Sequence, residues 1–200
     1  LFKVGNYYGY NQELFTDHWM NIGGCGAVTA CDVSIYLDLN QGFSRLYPYD
    51  IHHLTAQDYI NFSQIMKPFL RPRQNGIDTL ELWIQGYSNY LRSVGEQRIT
   101  MHGLYSDCPL KELESAVKWE IDHNLPAPYL NLKHANPDLA AYVWHWFWLA
   151  GYVQYEDTFL VKLVTYGSFR WFSLEELWNS GYKRKGGVIL LDVTKKGREE

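Results

Sequence analysis

The stretch Gly23-Gly24-Cys25-Gly26-Ala27-Val28-Thr29-Ala30-Cys31 decides how the N-terminal third folds. Two adjacent glycines break the chain, and the small and apolar residues that follow, as far as Leu37, suit a helix buried on all sides. A helix over roughly 25 to 38, opening at Cys25, is therefore predicted. A thiol in the first turn of a helix faces the positive end of the helix dipole and unpaired backbone N–H groups, which favour its thiolate. Gly23, Gly24 and Gly26 permit a tight turn there and leave room for a substrate backbone beside the sulfur. The competing reading of Cys25 is a small buried hydrophobe.

Outward from this stretch, Thr55 to Phe69 and Asp78 to Val94 carry helical spacing, the second through Leu80, Trp83, Ile84, Tyr87 and Leu91. Arg98 to Tyr105 looks extended. A further helix opens at Pro109, ends near Asn124 and buries Leu110, Leu113, Val117 and Ile121. The character then changes. Ala127 to Leu132, Tyr142 to Val153, Thr158 to Gly167 and Val188 to Val193 are β-branched or aromatic runs between turn formers. Gln154 to Asp157 is the expected hairpin turn, and Ser173-Leu174-Glu175-Glu176 reads as a capping box. Helices first and strands later define an α+β domain with segregated layers, one domain over residues 1–200, with a helical segment at about 41–125 between the Cys25 helix and the C-terminal sheet. The charged tail Lys195 to Glu200 is expected to fray.

Composition narrows the function. The 200 residues are 46% hydrophobic and 20% charged, a globular profile, and the net charge of -4 supplies no field for nucleic acid or anionic lipid. No nucleic-acid partner is expected, and the longest apolar run, Val143 to Ala150, falls far short of the about 20 residues of a membrane span. The chain begins with Leu and shows no charged-then-apolar leader, so trimming is expected, and cytoplasmic and secreted locations both stay open. Cys25, Cys31 and Cys108 are an odd number without a CxxC, which argues against a disulfide framework and a zinc site. Neither a metal nor a cofactor is expected.

A nucleophilic cysteine needs a base from a separate element. His145 lies among five aromatics in Tyr142-Val143-Trp144-His145-Trp146-Phe147-Trp148, where a polar ring demands a partner. The competing reading is a core histidine bonded to a carbonyl. The other six histidines read as surface residues. Strand alternation sets His145 and Phe147 opposite Trp144, Trp146 and Trp148, so one set at most should face a cleft, and core packing is the favoured role for the tryptophans. The 16% aromatic content serves cleft and core equally.

The segments Tyr7-Tyr8-Gly9-Tyr10-Asn11-Gln12, Trp19, Gly23 to Ala30, His145-Trp146 and Gly151-Tyr152 together resemble papain-like cysteine peptidases. The subgroup they are most similar to is the bacterial one related to bacteriocin leader peptidases. The resemblance implies Cys25 as nucleophile, His145 as general base and acid, and Gln12 as oxyanion donor beside the Cys25 N–H. It implies a peptide or protein substrate, with Trp19, Asn21 and Gly24 near it. Asn21 is a second candidate for the oxyanion, and a loop amide bonding the backbone is the plain alternative for both amides. Family enzymes orient the histidine with an Asn or Asp on the following strand. Counting back from a turn at Tyr155 and Glu156 brings Thr165-Tyr166 opposite His145, so Thr165 is the expected, uncharged acceptor. Asp157 belongs at the hairpin tip, roughly 30 Å away, and is rejected. The missing carboxylate keeps a second function open: a degenerate relative that binds peptide or glycan without cleaving it. A thiol within reach of the imidazole in an open cleft favours the enzyme, and a buried Cys25 favours the binder.

Overall fold

The computed structural model describes residues 1–194, an α+β structure of six helices and eight strands. The tail Lys195 to Glu200 lies outside the described residues. A short hairpin, β1 (Lys3–Val4) and β2 (Tyr7–Tyr8), opens the chain. Helix α1 (His18–Gly23) follows, started by the Asp17 carboxylate accepting from the Met20 N–H, and α2 (Cys25–Gln41) begins one residue later. Residues Gly26 to Leu37 of α2 are all buried, the signature of a helix enclosed by protein. Helices α3 (Ala56–Met66) and α4 (Leu80–Ser93) are opened by Thr55 and Thr79, whose hydroxyls accept from Asp58 and Leu82 N–H groups.

The remaining elements are β3 (Ile99–Tyr105), α5 (Leu110–Asp122), β4 (Ala127–Asn131), β5 (His145–Tyr155), β6 (Thr158–Thr165), β7 (Ser168–Ser173), α6 (Leu174–Trp178) and β8 (Gly186–Val193). Six strands form one antiparallel sheet in the order β3-β8-β4-β5-β6-β7. Alternation along the strands feeds two cores. Leu130, Trp146, Trp148, Ile189 and Leu191 pack with α2, α3 and α4, while Tyr129, Phe147, Leu149, Val188 and Leu190 pack with α5 and α6. The segment at 41–125 is thus not one helical layer: β3 leaves it to form a sheet edge, and α5 crosses to the opposite face. Four elements were not anticipated, the two strands of the β1–β2 hairpin, α1 and the edge strand β7. No helix among the described residues is long and apolar enough to cross a membrane.

Two acids are buried in these cores. Asp32 of α2 accepts from Tyr59 Oη (2.7 Å), Trp148 Nε1 (3.2 Å) and the Tyr10 backbone N–H, and burial still pushes its pKa up to about 7. Glu120 of α5 accepts from the Leu191 N–H at 3.2 Å, where β8 runs past the end of β4, and burial raises it to about 8. Both folded values lie above the unfolded ones, so the native state holds protons that the unfolded chain has released. Stability is therefore lost as pH rises from about 4 through 7 and 8. Urea midpoints of the parent should fall between pH 5 and pH 8, and Glu120→Gln should remove part of that fall, on the order of 3 kcal/mol at pH 8. Equal pH slopes in parent and variant would refute a protonated Glu120.

Candidate active site

Cys25 is the first residue of α2, and the way it is presented depends on Gly24. The Gly24 N–H closes α1 by donating to Met20 O at 3.0 Å, and a Cβ on Gly24 would collide with that carbonyl. Gly24 therefore serves the junction between the two helices, not the substrate: Gly23 and Cys25 line the cavity and Gly24 does not. Gly26 likewise makes room for packing, with Ile77 and Trp146 beside it.

A cavity of about 820 Å³ opens at this junction, and Cys25, His145 and Gln12 all line it, with Trp19, Trp144 and Tyr166 among its walls. Three segments distant in sequence are thus brought to one place. The lever is the Asp32–Trp148 bond. Cys25 lies two helical turns before Asp32 on α2 and His145 three residues before Trp148 on β5, so the bond ties the helix that carries one to the strand that carries the other. The loop Pro72–Ile77 closes one wall, held by Trp146 Nε1 donating to Ile77 O at 2.6 Å.

His145 is 4% exposed and opens β5. Its Nε2 lies 2.7 Å from Thr165 Oγ1, and Tyr166 stacks on its face with ring centroids 4.4 Å apart and planes 7° from parallel. Burial lowers the imidazole pKa to about 4. Cys25 is half-buried as a residue, and its sulfur lies enclosed beside the backbone N–H groups of Cys25, Gly26 and Trp146, which favour the thiolate, but burial outweighs them and raises the thiol. This corrects the thiolate expected from the helix dipole alone: thiol and imidazole are both neutral at rest. No hydrogen bond joins Cys25 to His145 among the described residues. All three cysteines are free thiols.

The other site residues divide. Gln12 Nε2 donates to Asn21 O at 3.0 Å, which leaves its second amide proton for the cavity. Asn21 is corrected: its Nδ2 donates to Glu13 O and Phe15 O, tying down the loop before α1, and it does not line the cavity. Trp19, 57% exposed, forms the rim. Trp144 and Trp146 reach the cavity along with His145, against strict alternation, because Trp144 precedes β5 in a left-handed backbone (φ 54°) and the cavity wraps around the strand end. Trp148 belongs to the core. Asp157 occupies the hairpin tip between Tyr155 and Thr158. Tyr166 and the loop Pro72–Ile77 escaped the sequence reading. A Tyr-Gly pair between two strands was the signal for the first, and the turn-forming run Pro72 to Gly76 for the second.

Among the described residues no group of three or more His, Cys, Asp and Glu side chains is placed to hold a metal ion. Among the described residues no acidic side chain lines the cavity. No protein-family model matches the chain, and no curated protein is significantly similar to it.

The Thr165 hydroxyl beside Nε2 suits the tautomer that carries its proton there, in which Nδ1 holds the lone pair. His145 should stay neutral in an NMR titration until pH falls towards about 4, well below the free value of 6.5. Thr165→Val, which keeps the shape and deletes the acceptor, should leave a buried ring N–H unpaired and lower stability by about 1–3 kcal/mol in urea unfolding. An unchanged midpoint would refute the Thr165 bond.

Proposed function

We propose that this chain is a cysteine-dependent acyl hydrolase with a papain-like architecture, acting on a peptide or other amide bond. The single observation that carries the reading is the convergence of Cys25, His145 and Gln12 on one cavity from separate parts of the chain. The Cys25 sulfur attacks the substrate carbonyl carbon as its proton passes to His145 Nδ1. The oxyanion that forms is met by the Cys25 backbone N–H and the free amide proton of Gln12. As the C–N bond breaks, His145 returns the proton to the leaving amine. Water then attacks the thioester carbonyl and gives a proton to His145, and the released thiolate recovers it. A neutral resting pair makes His145 a general base for an incoming substrate, with no standing ion pair.

A second reading, a peptide-binding module without catalysis, is favoured by one observation: among the described residues no carboxylate lines the cavity to balance the imidazolium that each step creates. Reactivity separates the two. Iodoacetamide labelling at pH 7, mapped by mass spectrometry, should modify Cys25 in preference to Cys31 and Cys108, and His145→Ala should slow it about 100-fold, the scale of a positioned general base. The same two proteins, screened on quenched fluorescent peptides with Cys25→Ser as blank, would show turnover only in the parent. Labelling of Cys25 that ignores His145 would sink the catalytic reading and leave the binder.

A further inference from the structure

Tyr166 has a conformation that its residue type resists. It and Gly167 are the two central residues of the turn between Thr165 and Ser168, the last pair of the β6–β7 ladder, and their φ angles are 51° and 69°. Positive φ at both positions defines the hairpin turn that Asn-Gly satisfies without strain, and a bulky aromatic in the first position costs about 1 kcal/mol or more. The surroundings hold it there. The Tyr8 N–H donates to Gly167 O at 2.9 Å, the Gly167 N–H donates to Tyr10 O at 3.2 Å, and a Cβ on Gly167 would meet Tyr7 Cδ1 at 2.6 Å. The N-terminal segment therefore fixes a turn that the turn's own sequence disfavours.

The strain delivers one thing: a ring laid flat on His145. Because the two planes lie 7° from parallel, Tyr166 Oη, 3.4 Å from Nδ1, stands over the imidazole face and not in its plane. Its single proton goes to Ala141 O at 3.2 Å. The in-plane lone pair of Nδ1 is thus left unspent. Thr165 alone would be one tether at Nε2, about which the ring can pivot. A flat cover on the face removes that freedom. Burial, with Cys25, Glu13 and Tyr142 nearby, pushes the Tyr166 hydroxyl up to about 12, so the cover is uncharged.

We propose that Tyr166 is a positioning residue for His145: its ring, held in a strained turn, clamps the imidazole face so that Nδ1 keeps its lone pair directed at the cavity shared with Cys25. The consequence for reactivity rests on the Cys25–His145 reading, whereas the clamp itself does not. The experiment uses the full chain as parent, Tyr166→Phe, Tyr166→Asn and Tyr166→Leu, with three readouts: ring 15N shifts and titration of His145, urea midpoints, and iodoacetamide labelling of Cys25. Tyr166→Phe keeps the flat ring and should match the parent within about twofold in labelling. Tyr166→Asn suits the turn and Tyr166→Leu keeps apolar bulk, yet both lose the ring. In both, the ring nitrogens should show mixed tautomers, the titration midpoint should rise from about 4 towards 6.5, and labelling should fall at least tenfold. A residue that merely packed the turn would move stability alone. Nitrogen shifts and a midpoint like the parent's in whichever of these two variants folds would overturn the proposal, whatever the labelling does. Parent labelling no faster than that of His145→Ala would instead remove the catalytic reading, and the shifts would still decide the clamp.

Discussion

The Asp32 carboxylate accepts from three donors that belong to three parts of the chain: Tyr59 on α3, Trp148 on β5 and the backbone of Tyr10. A buried acid with three donors has one arrangement that satisfies it, so it fixes geometry in a way that apolar contacts, which slide, do not. Two of these donors stand near residues that line the cavity: Trp148 shares β5 with His145 and Tyr10 lies two residues before Gln12, while Asp32 itself sits two helical turns beyond Cys25. The same Tyr10 carries the carbonyl that holds the Tyr166 turn. One carboxylate thus keeps the register of every residue assigned a chemical part.

The electrostatic character of the site follows from what surrounds it. Among the described residues the hydrogen-bonding and stacking partners of the imidazole are neutral, a threonine hydroxyl and a phenol face, and the thiol is set among backbone dipoles. Such a site does not sustain separated charges at rest. The exposed rim of Trp19 and Trp144 covers part of the opening, and excluding water there strengthens each of these weak neutral interactions.

Much of this was legible in the sequence, for identifiable reasons. Helical spacing marked α3 and α4, and β-branched runs marked the sheet, because local physics writes these elements directly. Helix α1 was too short to show a period, and β7 has Lys162 across from Trp171 in place of an apolar partner. Spacing gave α5 a buried face but could not say which side of the sheet it would cover. Cys25 and His145 were conspicuous because each is an ill-suited residue in an apolar context. Tyr166 was not, since an aromatic in an aromatic-rich chain draws no notice until its backbone angle is known. Asn21 illustrates the reverse error: nearness to Cys25 in sequence suggested chemistry, and the amide turned out to tie its own loop.

The bond between Trp148 and Asp32 spans 116 residues of chain. A ribosome adding roughly 5–20 residues per second needs on the order of ten seconds to supply the second partner after the first has emerged. During that interval α2, which the folded protein encloses from Gly26 to Leu37, has no sheet to lie against. The enclosed helix that presents Cys25 is therefore also the part of the nascent chain with most to gain from a chaperone, and substitutions that make α2 more hydrophobic would lower the yield of folded protein before they altered the protein that folds.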